Sequence, residues 1–149
     1  LNDLELVEAA SDADSTLQMR AVLPIYAAKG ATSSAVVYFE IEPGKRVGRH
    51  TDSAEEIVLV LQGEAEALID GERGRLSSGQ MALIPAMAPH DVANVGQETL
   101  RVVGFFAGAT LVHTFYEPYL PGSEVAIFVN GRGAEEVFAA SRVVASAEP

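Results

Sequence analysis

The chain has 149 residues, 48% hydrophobic and 21% charged, which suits one packed domain and excludes wholesale disorder. Its net charge of −11 opposes phosphate backbones and anionic membranes, so neither nucleic acid nor a membrane is an expected partner. The longest uncharged stretch, Val102–Tyr116, is too short and too polar to span a bilayer, and the absence of cysteine excludes disulfides, zinc–thiolate sites, iron–sulfur clusters and thiol nucleophiles.

Residues 1–16 read as a polar N-terminal arm. Leu1–Asp14 holds five acidic residues and none of the regions of a signal peptide, so a cytoplasmic location is expected, although a leader already removed leaves no trace. Short segments rich in β-branched and aromatic residues follow, separated by turn chemistry. Leu17–Ile25 comes first, with Pro24 marking a strand end or an edge. Ala35–Ile41 closes at Glu42-Pro43-Gly44, and Ile57–Leu61 ends at Gln62-Gly63. Glu64–Ile69 runs into Asp70-Gly71, a hairpin turn, and Arg75–Leu76 begins the return. Met81–Ile84 and Val92–Val95 flank a loop from Pro85 to Pro89. Leu100–Phe106, Leu111–Tyr116 and Val125–Val129 complete the set. Ala134–Ala145 reads as the one helix, with Glu135 and Glu136 in its first turn. Many short strands with one terminal helix predict an all-β barrel over residues 17–130 and a C-terminal helix and tail over 131–149. Ile57–Leu61 is apolar on both alternating faces; one face can line a barrel, and the other needs a cover, such as a second subunit.

The chain has three histidines, His50, His90 and His113. On an extended strand His50, Asp52 and Glu56 share a face that continues through Val58 and Val60. Buried without a cation, those carboxylates cost several kcal/mol each, and a divalent ion offsets that cost. The bland reading is a solvated polar loop. His90 follows the Pro85–Pro89 loop, which could fix its approach. His113 shares a face with Leu111 and Phe115 and enters the pocket if that face lines the barrel; its ordinary pKa suits an acid or a base. Arg46 and Arg49 flank His50, as anion binders or as ordinary surface cations. One of Tyr38 and Phe39 must look inward. Tyr116–Tyr119, with Pro118 and Pro121, reads as a mouth-covering loop or a plain connector.

Together the two histidine segments resemble the cupin family. Its first motif is matched in register by Gly44, His50, Asp52, Glu56 and Gly63, and its second by Gly79, Pro85, Met87, His90 and Asn94. The resemblance implies a double-stranded β-helix, or jelly-roll, barrel, and a homodimer built on terminal strands or sheet faces. Asp52 stands where the family usually has a second histidine, and Met87 where it usually has glycine, which predicts a changed loop path before His90. The family's three histidines and one glutamate become His50, Asp52, Glu56 and His90. All four could bind, or three could, as His50–Glu56–His90 or His50–Asp52–His90. More oxygen donors favour Fe²⁺ or Mn²⁺, with Ni²⁺, Zn²⁺ and Cu²⁺ as the competing ions. The implied functions are a quercetinase-like, metal-dependent dioxygenase acting on a small organic substrate, a redox-neutral isomerase or lyase using the metal as a Lewis acid, or a small-ligand-binding module. Glu56 and His113 are the candidate catalytic residues.

Overall fold

The computed structural model describes residues 4–119 and 125–139. Thirteen strands form two antiparallel sheets: β1 Val7–Ala10, β2 Gln18–Ile25, β3 Ala35–Ile41, β4 His50–Asp52, β5 Glu56–Gln62, β6 Glu64–Ile69, β7 Glu72–Ser77, β8 Met81–Ile84, β9 His90–Asn94, β10 Leu100–Phe106, β11 Leu111–Phe115, β12 Ala126–Gly131 and β13 Ala134–Ala139. One sheet runs β1-β2-β3-β10-β5-β8, the other β13-β12-β11-β4-β9-β6-β7. The order interleaves early and late strands, as in a jelly-roll barrel. Among the described residues no helix is long and apolar enough to cross a membrane.

The alternation in β5 sorts its side chains as expected. Val58 and Val60 are buried, while Ile57 on the opposite face is 44% exposed. They join Ile41, Ile84, Leu100 and Val102 in the core between the sheets. On the outer face Ile57 lies beside Leu83 on β8 and Phe105 on β10, both also exposed. The β6–β7 hairpin turns on Asp70 and Gly71, both at positive φ, with Ile69 opposite Glu72. Those φ values match the right-handed twist of the two strands.

Two expectations are corrected at the ends of the chain. The lead-in is more than a surface arm, since Val7–Ala10 pairs with Gln18–Ala21 and places β2 inside its sheet. Pro24 falls where the β2–β3 register slips, beyond the residues that β1 covers. The expected helix at Ala134–Ala145 is not formed over Ala134–Ala139, which pairs along the whole of β12, from Gly131 opposite Ala134 to Ala126 opposite Ala139. Arg132-Gly133 makes a two-residue return. The open backbone edge of β12 then supplies ladder hydrogen bonds that a short isolated helix cannot match. Residues 140–145 and Pro121 lie outside the described residues.

Met87 also departs from expectation. The loop before His90 keeps the left-handed conformation that a glycine would take, with Met87 at φ +64°. Its N–H donates to the carbonyl of Asp52 at 2.8 Å, which ties the loop to β4, and its side chain is 58% exposed, away from the pocket. A bulky residue in this region costs about 1 kcal/mol, and asparagine tolerates it better. Met87→Asn should therefore stabilise the protein by roughly 0.5–1 kcal/mol. Thermal unfolding checks this, and an unchanged or lower midpoint contradicts it.

Candidate metal centre

The chain changes sheets between Asp52 and Glu56, and this corner assembles the site. β4 carries His50 and Asp52 in the seven-stranded sheet, whereas β5 opens with Glu56 in the other. β9 begins with His90 directly opposite His50, and β11 sets His113 opposite Asp52. The shared inward direction of His50, Asp52 and Glu56 is as expected, although three residues of corner, not regular strand, join the two halves. All three are buried, as is His90.

Both ligand-type histidines are held by their far nitrogens. His50 Nδ1 lies 2.8 Å from the carbonyl of Gly48, and His90 Nδ1 lies 2.9 Å from that of Ala88. A carbonyl only accepts, so each Nδ1 carries the hydrogen and each Nε2 presents a bare lone pair. Phe115 stacks on His50 with centroids 4.4 Å apart, and the two imidazoles approach to 4.0 Å. Asp52 Oδ2 lies 3.1 Å from His90 Nε2 and 3.6 Å from His50 Nε2. Donor atoms of His50, Asp52 and His90 lie within 4.8 Å of one another. Asp52 Oδ2 and His90 Nε2 are fully buried without a hydrogen-bond partner. Two acceptor atoms facing each other in an apolar interior are costly alone and are satisfied together by a cation. The donor set thus fits a divalent metal.

The remaining groups surround this triad. Asp52 Oδ1 accepts a hydrogen bond from His113 Nδ1 at 2.5 Å. Glu56 Oε1 lies 3.8 Å from His90 Nε2. Burial pushes the His50 imidazole down to about 4, so it is neutral at pH 7. Burial first, then the charge of Asp52, raise the Glu56 carboxyl well above its usual range. Burial acts on Asp52 in the same sense, but His50 and the His113 hydrogen bond outweigh it and keep the carboxylate ionised. The two neighbouring carboxyls are therefore pushed in opposite directions, Asp52 down and Glu56 up.

Above the triad lies a cavity of about 420 Å³ lined from both sheets, with Phe39, Phe106, Phe115 and Phe128 among its walls and His113 in its side. Phe39 is thus the inward member of its pair. Tyr38 faces the other way, donating to Glu40 and accepting from Arg101. Arg46 is not a pocket group: it binds Asp14, Asp91 and Glu117. Arg49 lies over the ring of Tyr116. Tyr119 is buried and donates to the carbonyl of Val47, so its segment up to that residue is a packed connector. One residue went unread in the sequence. An added Cβ on Gly104, in β10, would lie 2.1 Å from Glu56 Oε2 and 2.9 Å from Val37 Cγ1. The signal was a glycine inside the apolar strand Leu100–Phe106, a sign of close approach.

Comparison with known proteins agrees with this geometry. Residues 37–106 match the family model described as a cupin domain. Residues 37–106 thus form a small cupin domain. Polyketide synthase CurC of Streptomyces cyaneus is 37% identical to it over 75 residues, 50% of this chain and 49% of CurC. The match thus spans about half the length of that relative. The putative sugar phosphate isomerase of Acidithiobacillus ferrooxidans shares the fold with a TM-score of 0.61 at 18% identity, over 94% of this chain and 88% of the other. The polyketide cyclase RemF of Streptomyces resistomycificus does so with a TM-score of 0.57 at 19% identity, over 70% and 74%.

Proposed function

We propose that this cupin is a metal-dependent enzyme that carries out a redox-neutral carbon–carbon ring closure on a small β-polyketone bound in the barrel. The observation that carries the reading is the His113–Asp52 pair beside the buried Glu56 carboxyl, under an aromatic-walled cavity whose base bears bare imidazole lone pairs. The kinship to CurC and the fold shared with RemF support the substrate class. The dioxygenase expected from the family resemblance uses the same donors, but a protonated carboxyl next to a histidine–aspartate pair suits proton transfer.

His50 and His90, with carboxylate oxygen, would hold the divalent ion. When bound, that ion would polarise a substrate carbonyl and acidify the carbon beside it. The chain's own residues supply the rest. With Nδ1–H committed to Asp52, His113 has Nε2 free to accept the α-proton. Asp52 orients that ring and balances the charge it gains. The resulting carbanion forms a carbon–carbon bond to a second carbonyl of the same molecule, and Glu56 gives its proton to the new alkoxide. Loss of water then yields the aromatic ring. The phenylalanine walls fold the flexible chain and exclude water. We place the homodimer contact on the exposed apolar row of Ile57, Leu83 and Phe105.

The test is anaerobic incubation of the Mn²⁺-loaded and Zn²⁺-loaded protein with a linear 1,3,5-triketone. The expected product is the cyclic phenol plus one water, formed equally in air and without oxygen uptake. Turnover that consumes oxygen in step with the triketone replaces this reading with the dioxygenase. Thermal stabilisation without conversion replaces it with a binding module.

A further inference from the structure

We propose that Asp52 serves this chain as a one-oxygen metal ligand whose other oxygen is clamped by His113, completing a His50–Asp52–His90 set that leaves Glu56 unligated. The inference rests on the metal-site reading above. It selects one of the ligand sets that the sequence leaves open and makes His113 a positioning residue for the metal as well.

Asp52 divides its two oxygens between different partners. Oδ1 is taken by His113 at 2.5 Å, and the β4–β11 pairing, which sets the two residues directly opposite, holds that contact. Oδ2 is left facing His90 at 3.1 Å and His50 at 3.6 Å, buried and without a hydrogen bond. These spacings are those of neighbouring donors around one ion with bonds of about 2.0–2.2 Å. The third and fourth ring nitrogens are already committed to the carbonyls of Gly48 and Ala88, so each imidazole offers one donor, aimed at the same point.

Glu56 is placed differently. It comes from the other sheet, and its Oε2 settles over Gly104, in a space that any side chain at that position would fill. That recess takes one carboxyl oxygen against β10, and Glu56 is not a member of the close donor triad. Charge favours the same division. In the usual family set one glutamate supplies the only anionic ligand. Here Asp52 supplies it in place of a histidine, so an unligated Glu56 keeps the number of anionic ligands at one. Ligation by both would add a second buried charge.

The test is titration calorimetry with Mn²⁺ and Co²⁺, with visible absorption of the Co²⁺ form reporting the coordination. Glu56→Gln should bind both ions like the parent and keep its Co²⁺ spectrum. His113→Ala should weaken binding about 10–100-fold, as loss of an outer partner of a ligand does, and should change the spectrum as Oδ1 becomes free to join the ion. His113→Asn, which retains an N–H donor, should recover part of the affinity, and circular dichroism shows that each variant is folded. The proposal is overturned if Glu56→Gln loses the ions as far as Asp52→Asn does, or if His113→Ala matches the parent in affinity and spectrum. Failure of the parent protein to bind either ion removes the metal-site reading itself, a result distinct from both.

Discussion

Gly104→Ala is expected to lower turnover about 100-fold and stability by about 1–3 kcal/mol while leaving metal binding in place. The added methyl would meet Glu56 Oε2 at 2.1 Å and Val37 Cγ1 at 2.9 Å, both well inside van der Waals contact. Glu56 and Val37 lie on different strands flanking β10, so relief on one side does not relieve the other. The carboxyl must leave its recess, and a displacement of this size in a proton donor is costly because transfer depends on alignment. The stability term follows from overpacking a core with little room to relax. Steady-state rates and chemical unfolding measure the two effects. In a Glu56→Ala background the same methyl should barely change turnover, since the group it displaces is gone. An equal loss in both backgrounds would show that Gly104 acts other than through Glu56.

The second large effect is on the pH dependence of the metal-free protein. Glu56 keeps its proton in the folded state after the unfolded chain, near its ordinary 4.5, has lost it. The folded state then binds more protons, so stability falls as pH rises, by at most about 1.4 kcal/mol per pH unit. His50 acts oppositely. It is depressed to about 4 from 6.5, so in that interval the unfolded state binds more protons and stability rises with pH. The two slopes oppose each other between about 4.5 and 6.5. Above about 6.5 only the Glu56 slope remains, until its own raised pKa is passed. Urea unfolding in chelator should therefore show little change between pH 4.5 and 6.5 and a fall as pH rises beyond 6.5, ending where the raised Glu56 carboxyl finally ionises, and Glu56→Gln should remove that fall. Stability in the parent that is level or rising as pH passes above 6.5 would contradict a Glu56 carboxyl raised so far.

Much of this was legible in the chain because its signals are local. Runs of β-branched and aromatic residues in Ala35–Ile41, Ile57–Leu61 and Leu100–Phe106 mark strands, and Asp70-Gly71 marks its turn by the φ values it permits. The common parity of His50, Asp52 and Glu56 gave their shared direction, and the cupin spacing added His90. The signal failed where pairing, not burial, makes the strand. Val7–Ala10 has three of its four residues exposed and shows no apolar stripe, yet it zips onto β2. Ala134–Ala139 has a helical spacing of apolar residues, but the edge of β12 captured it. Met87 kept its turn despite the side chain, because the hydrogen bond to Asp52 holds the loop.

By itself the sequence determined which residues could serve as donors, that strands would carry them, and that they would point inward, since side-chain type, alternation and turn geometry act within a few residues. Tertiary structure alone decided how those donors are shared. The His113 bond to Asp52, the recess that Gly104 makes for Glu56 and the facing of His50 by His90 each join strands distant along the chain. Which oxygen meets which nitrogen depends on the register between sheets, and no local pattern carries that register.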